Sequence, residues 1–145
     1  MQSLKGQEGV GKLVEKGKGK FAGQEVLGKT LGVIGLGAIG AMVANAAIDL
    51  GMSVMGYDPF ISVKNAWRIN NRVKFTSELS AIFANCDYIT LHVPLTPATK
   101  GMIGKDAIAA CKDGVVIINN ARGDLVDPDA MIEAVARGNG ARYIT

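Results

Sequence analysis

Three glycines in the spacing G-x-G-x-x-G, Gly35, Gly37 and Gly40, directly follow a short apolar run containing Leu31, Val33 and Ile34. A helix-length stretch of small and apolar residues comes next, then a second apolar run that closes on a lone carboxylate, Asp58. This order of strand, glycine turn, helix, strand and acid is what a dinucleotide-binding βαβ unit requires. The first glycine permits a tight turn out of the strand. The second lets the backbone approach a pyrophosphate, and the third lets helix and strand pack closely. Amides at the start of the following helix, those of Ala38 and Ile39, have no partner within the helix and lie at its positive end, so they suit a phosphate oxygen. Asp58 is then placed to accept the two hydroxyls of the adenosine ribose, which favours NAD over NADP because a 2′-phosphate would meet a carboxylate. Pro59 and Phe60, not an arginine, follow Asp58.

The spacing alone is weak in a chain with 19 glycines. It gains specificity from the strand before it, the helix formers after it and the acid about 20 positions on.

These residues need a fold to hold them, and 145 residues suffice for one domain with a buried core. Hydrophobic residues make up 48% of the chain and charged ones 20%, a globular profile. No apolar stretch is long enough to span a bilayer, and no apolar run near Met1 resembles a secretion signal. A cytoplasmic protein with no membrane partner is therefore expected. The single histidine, His92, excludes a His-pair metal site, and no metal is expected. Cys86 and Cys111 lack redox or metal spacing and sit in apolar surroundings, which favours buried free thiols.

Residues 1–29 carry six lysines against three glutamates, enough to account for the net charge of +3. Such an arm could bind nucleic acid, or it could be a solvated connector. The interspersed glutamates and the single aromatic, Phe21, favour the connector, so no nucleic-acid partner is expected. A short helix over Lys12–Lys16 is expected within it.

From Thr30 onward strands and helices alternate. Strands are expected near 31–35, 53–57, 73–75, 87–91, 115–119 and 142–145. Helices are expected near 38–50, 62–69, 77–85, 104–111 and 128–137. Asp127-Pro128 is an N-cap followed by proline at the first helical position, and Gly51 and Gly138 follow helix ends. Alternation of this kind predicts an α/β fold of three layers, α/β/α: a doubly wound parallel Rossmann sheet ordered 3-2-1-4-5-6, with ligand at the switch point between strands 1 and 4. The chain ends inside its sixth apolar run and so reads as a piece of a longer protein.

Residues 90–104, Thr-Leu-His-Val-Pro-Leu-Thr-Pro-Ala-Thr-Lys-Gly-Met-Ile-Gly, and residues 115–127, Val-Val-Ile-Ile-Asn-Asn-Ala-Arg-Gly-Asp-Leu-Val-Asp, complete the pattern. Together with the glycine turn and Asp58 they resemble the D-isomer-specific 2-hydroxyacid dehydrogenase family over residues 24–145. The Asn-x-Ala-Arg-Gly-x-x-Val-Asp run is the specific part. The resemblance implies an NAD-binding domain over 30–145, a single domain cut from a two-domain enzyme, with 1–29 as an N-terminal connector. It implies that the backbone of His92, Val93 and Pro94 walls the cofactor near its ribose and adenine. It implies that Asn120 and Ala121 approach the nicotinamide. Arg122 corresponds to the arginine that binds the carboxylate and keto oxygen of a 2-hydroxy or 2-keto acid. A planar, permanently charged fork suits two coplanar oxygens. His92 is expected to contribute wall rather than acid–base catalysis, because the family's acid–base histidine and its glutamate partner follow the arginine at positions beyond Thr145. Asp127 is expected as a helix cap and Asp124 as a loop carboxylate.

The resemblance further implies a homodimer, and an isolated fragment that binds cofactor without turning over. Sibling dehydrogenases of glyoxylate, lactate, formate or phosphonate, and NAD(H)-sensing co-repressors of the same fold, are the alternatives.

Overall fold

A computed structural model describes Gly23, residues 25–138 and residues 140–145. The expected helix at Lys12–Lys16 lies outside the described residues. Six strands alternate with helices: β1 Thr30–Ile34, α1 Ala38–Asp49, β2 Ser53–Tyr57, α2 Val63–Ala66, β3 Lys74–Phe75, α3 Leu79–Asn85, β4 Tyr88–Leu91, α4 Lys105–Ala109, β5 Val116–Ile118, α5 Pro128–Ala136 and β6 Arg142–Ile144. A 3-10 turn, Gly123–Leu125, lies between β5 and α5. The strands form one parallel sheet in the order β3-β2-β1-β4-β5-β6, as the alternation predicts.

Two apolar clusters lie on opposite faces of the sheet. Leu31, Val33 and Val54 pack against Ala44, Ala47 and Ile48 of α1. Ile34, Ile89, Leu91 and Ile117 pack with Ile82 and Phe83 of α3 and Met131 and Ala134 of α5. Alternate residues of β1 thus serve different layers, the consequence of a strand's two-residue period. The central strands read as near-continuous apolar runs because both faces are covered. The buried side of α1 is built from Gly40, Ala41, Ala44 and Ala47, small residues that let the helix lie close to the strands.

Helix ends follow local chemistry. Asp127 Oδ1 accepts the amides of Asp129 and Ala130, and Pro128 opens α5, as expected. Gly51 and Gly138 both adopt a left-handed φ, near 79° and 76°, just past their helices. The expected helix at 104–111 shortens to Lys105–Ala109 and the strand at 115–119 to Val116–Ile118, while the expected helix at 62–69 shrinks most, to the single turn Val63–Ala66. Ser62 caps it, but Arg68 and Ile69 donate to carbonyls three residues back. The side chain of Asn45 then takes the Arg68 carbonyl and the Asn70 amide, drawing the chain off the helical path. Cys86 is buried and Cys111 half-buried, both as free thiols.

Candidate cofactor-binding crevice

Every candidate site residue falls just past the carboxyl end of one of the four central strands. Gly35–Gly40 follow β1, Asp58 follows β2, His92–Pro94 follow β4, and Asn120–Arg122 follow β5. Parallel register sets these ends level: Ile34 of β1 pairs with Tyr57 of β2 and with Leu91 of β4, and Thr90 pairs with Ile118. β1 is flanked by β2 and β4, so the strand order reverses there, the switch point at which sheets of this kind bind ligands.

The three glycines stand in three different local settings. Gly35 has φ near 92°, and a Cβ there would lie 2.6 Å from the His92 carbonyl oxygen. Its own amide donates to the Tyr57 carbonyl at 2.8 Å, which closes the turn. At Gly40 a Cβ would overlap the Gly35 carbonyl oxygen, so helix and turn touch there. Gly37 is different. Its φ of −66° suits any residue, and a Cβ there would meet nothing within 4 Å. Neither the backbone conformation nor a clash within the chain excludes a side chain at 37. That open space beside free amides fits a phosphate group. Gly37 caps α1 with no side-chain bond, and the first helical bond runs from Ala41 back to Gly37. The amides of Ala38 and Ile39, both exposed, therefore face outward.

Asp58 is half-buried and held from two sides. Its Oδ2 accepts the Leu36 amide at 2.8 Å and its Oδ1 accepts the Phe60 amide at 2.9 Å. The first bond ties the carboxylate to the glycine turn itself. Each oxygen keeps a lone pair for a ribose hydroxyl. A cavity of about 300 Å³, lined by Tyr57, Asp58, Pro59, Phe75, Thr76 and Ser77, lies beside it. A larger cavity of about 630 Å³ opens elsewhere, beside the turn that follows Arg122.

His92 donates its amide to Ile34 at 2.8 Å, and its Nε2 is hydrogen-bonded to Thr90 Oγ1 at 3.1 Å. Burial lowers its pKa below the usual histidine value, so the imidazole is neutral at pH 7. The His92 carbonyl faces Gly35 and its Cβ faces Gly40, so the residue lies against the glycine turn. Val93 is half-buried with its Cγ1 facing Gly35, and Pro94 is exposed. The loop beyond Pro94 is pinned to the Arg122 loop: Gly101 donates to Asp124, Ile103 to Leu125, and Asp127 back to Ile103. Asn120 and Arg122 are exposed, and Ala121 is half-buried. Arg122 Nη1 rests on the Ala121 carbonyl at 2.8 Å, and among the described residues no carboxylate pairs with it. Asp124 lies in the 3-10 turn.

Three participants escape sequence reasoning. The Leu36 amide and Asn119 bond to residues brought near by folding, Asp58 and Tyr143, while Thr90 bonds to His92 two residues on. Only Asn119 carried a signal, as the first residue of the Asn-x-Ala-Arg run.

A parallel six-stranded sheet with a glycine turn, a carboxylate and a cation past the carboxyl ends of its strands has the layout of a nucleotide-binding domain of the dehydrogenase type. The sequence model of the D-isomer specific 2-hydroxyacid dehydrogenase, NAD binding domain, matches residues 2–145, and the chain belongs to that family. NAD is its cofactor. Among curated relatives, the D-3-phosphoglycerate dehydrogenase of Archaeoglobus fulgidus is 46% identical over 122 residues, 84% of this chain and 23% of that protein. The D-3-phosphoglycerate dehydrogenase of Methanocaldococcus jannaschii is 44% identical over 119 residues, 82% of this chain and 22% of that protein. The chain thus spans under a quarter of the length of the curated relatives it matches. Among solved structures, the NAD-complexed D-isomer specific 2-hydroxyacid dehydrogenase of Lactobacillus delbrueckii ssp. bulgaricus superposes with a TM-score of 0.74 at 32% identity, covering 86% of this chain and 37% of that one. A Salmonella D-lactate dehydrogenase does so with a TM-score of 0.75 at 32% identity, covering 90% and 40%. Among the described residues no helix is long and apolar enough to cross a membrane.

Proposed function

We propose that the protein carrying this domain interconverts a D-2-hydroxy acid and its 2-keto acid, with 3-phosphoglycerate as substrate and serine synthesis as the use of the product. The curated relatives' names support that substrate. The observation that carries the reaction class is Arg122, a cation with no acidic partner among the described residues, on the same sheet edge as the glycine turn.

The amides of Ala38 and Ile39 would hold the cofactor's pyrophosphate over Gly37, and Asp58 its adenosine ribose. His92, Val93 and Pro94 would wall the ribose and adenine, and Asn120 and Ala121 would flank the nicotinamide. Bound NAD(H) supplies the hydride. Arg122 then binds the substrate carboxylate and keto oxygen. On reduction that oxygen gains negative charge, so a pre-placed guanidinium stabilises the transition state more than the ground state. Residues 30–145 act as the cofactor-binding unit, residues 1–29 as a connector, and the protein works as a cytoplasmic homodimer free of nucleic acid.

The test is NADH oxidation with 3-phosphohydroxypyruvate against glyoxylate and pyruvate, in the unsubstituted protein and in Arg122→Lys. Turnover preferring the phosphorylated acid, lowered at least tenfold in Arg122→Lys with NADH affinity within about twofold, is expected. Unchanged turnover in Arg122→Lys would remove this residue from the mechanism. A preference for pyruvate would favour the second reading, a D-lactate enzyme, for which the Salmonella fold neighbour is the specific support. NADH binding with no turnover of any keto acid would leave a cofactor-sensing module.

A further inference from the structure

Asn119, immediately after β5, is 2% exposed, and it and Thr90 are the two buried polar side chains among the described residues. Each polar atom of its carboxamide has a partner. Nδ2 donates to the Arg122 carbonyl at 2.8 Å and to the Tyr143 hydroxyl at 3.1 Å. Oδ1 accepts the Ala121 amide at 3.2 Å. The orientation of the carboxamide follows from these partners, because a backbone amide can only donate and a carbonyl can only accept. The Asn119 amide in turn donates to the Ile144 carbonyl at 2.8 Å, so one residue joins β5, β6 and the loop between β5 and the 3-10 turn.

We propose that Asn119 is the positioning residue for Arg122, and that Tyr143 anchors it to β6. This rests on the substrate-binding reading of Arg122 given above. No regular element holds that arginine: β5 has ended at Ile118, and the 3-10 turn begins at Gly123. Arg122 has extended backbone, φ −141° and ψ 131°. Two groups grip its carbonyl, the Asn119 side chain and the Leu125 amide at 3.2 Å. The Ala121 amide, one peptide earlier, is held by Asn119. The guanidinium lies back on the Ala121 carbonyl, so its resting place is part of the same short stretch. A long side chain can aim at a keto acid only if the backbone beneath it stays put. A displacement near 1 Å at such a site costs on the order of 100-fold in rate. An apolar residue at 119 would fill the space yet leave the Ala121 amide and Tyr143 hydroxyl without their partner.

The test compares Asn119→Ala and Tyr143→Phe, each alone and combined with Arg122→Lys, in the protein carrying this domain. NADH affinity, which rests mainly on the glycine turn and Asp58 with Ala121 only flanking the nicotinamide end, is expected to change by about threefold at most, far less than kcat/KM. For the 2-keto acid, kcat/KM is expected to fall roughly 30-fold in Asn119→Ala and roughly threefold in Tyr143→Phe. On the Arg122→Lys background each further loss should shrink below about twofold, because residues acting through one group are not additive. Losses that multiply fully with that of Arg122→Lys, or unchanged kcat/KM in a folded Asn119→Ala protein, would overturn the positioning role. Should Asn119→Ala fail to fold, the same cycle with Tyr143→Phe decides: no loss, or a fully multiplying one, refutes it. If the unsubstituted protein binds NADH but Arg122→Lys changes no turnover, the Arg122 reading itself has failed and this role falls with it.

Discussion

Gly37→Ala and Gly40→Ala separate what the ligand demands from what the fold demands. At Gly37 the backbone is at φ −66° and ψ −163°, and an added methyl meets no atom of the chain. Two small terms oppose each other there. Replacing glycine where φ already suits alanine stabilises by about 0.4–1 kcal/mol through the unfolded state. Alanine is a poorer N-cap than glycine by a comparable amount. The net change in stability should therefore stay within about 1 kcal/mol. The methyl, however, occupies the space assigned to the pyrophosphate, and NADH affinity should fall at least tenfold, about 1.4 kcal/mol.

At Gly40 the methyl overlaps the Gly35 carbonyl oxygen, a backbone atom that no rotamer change can move. Overpacking of this kind costs about 3 kcal/mol or more. For a chain of this size that is a Tm drop of roughly 6–12 °C. Urea unfolding and calorimetric NADH titration of the two variants read both quantities. Wild-type affinity in Gly37→Ala would refute the reading of that open space. So would a loss of several kcal/mol in its stability, since the reason for the glycine would then lie inside the chain.

Other outcomes follow from the same geometry. Asp58→Ala should abolish a preference for NADH over NADPH of about tenfold or more. The ratio of the two affinities is the measurement, because the lost bond to Leu36 also loosens the turn, and an unsubstituted domain that binds both equally would refute the role of Asp58. His92 has a folded pKa below its unfolded value near 6.5, so the unfolded chain binds the extra proton first. Stability is therefore full above about pH 6.5 and declines as pH falls toward the folded pKa. Urea midpoints across pH 5–8 should show that slope, and His92→Gln should flatten it. Burial pushes the Cys86 thiol up to about 12 and that of Cys111 to about 11. Alkylation by iodoacetamide at pH 8 should be slow at both until urea unfolds the chain; rapid labelling of native Cys86 would contradict its burial.

Much of this was legible before folding. Leu31–Ile34, the glycine triplet and Asp58 announce their unit because each acts locally: a turn needs a left-handed φ at Gly35, a helix must start after Gly37, and a strand must end at Asp58. The cap at Asp127 and the stop at Gly138 are local in the same sense. The helix expected at 62–69 is present only as the turn Val63–Ala66, and Asn45, more than twenty residues earlier, binds the chain just beyond it. Asn119 could be noticed in its motif, but its role could not, since Tyr143 lies 24 residues away in sequence.

Sequence by itself determined the alternation of strands and helices and the chemistry carried by each turn, because backbone preference and side-chain type act over a few neighbouring residues. Tertiary structure alone decided that four turns share one edge. Parallel pairing of β1 with β2 and β4, and of β4 with β5, is non-local, and it sets Gly37, Asp58, His92 and Arg122 just past neighbouring strand ends on one edge of the sheet. It also decided which hydrogen bonds hold them there, since a buried amide or carboxamide takes its partner from whatever chain the fold brings within about 3 Å.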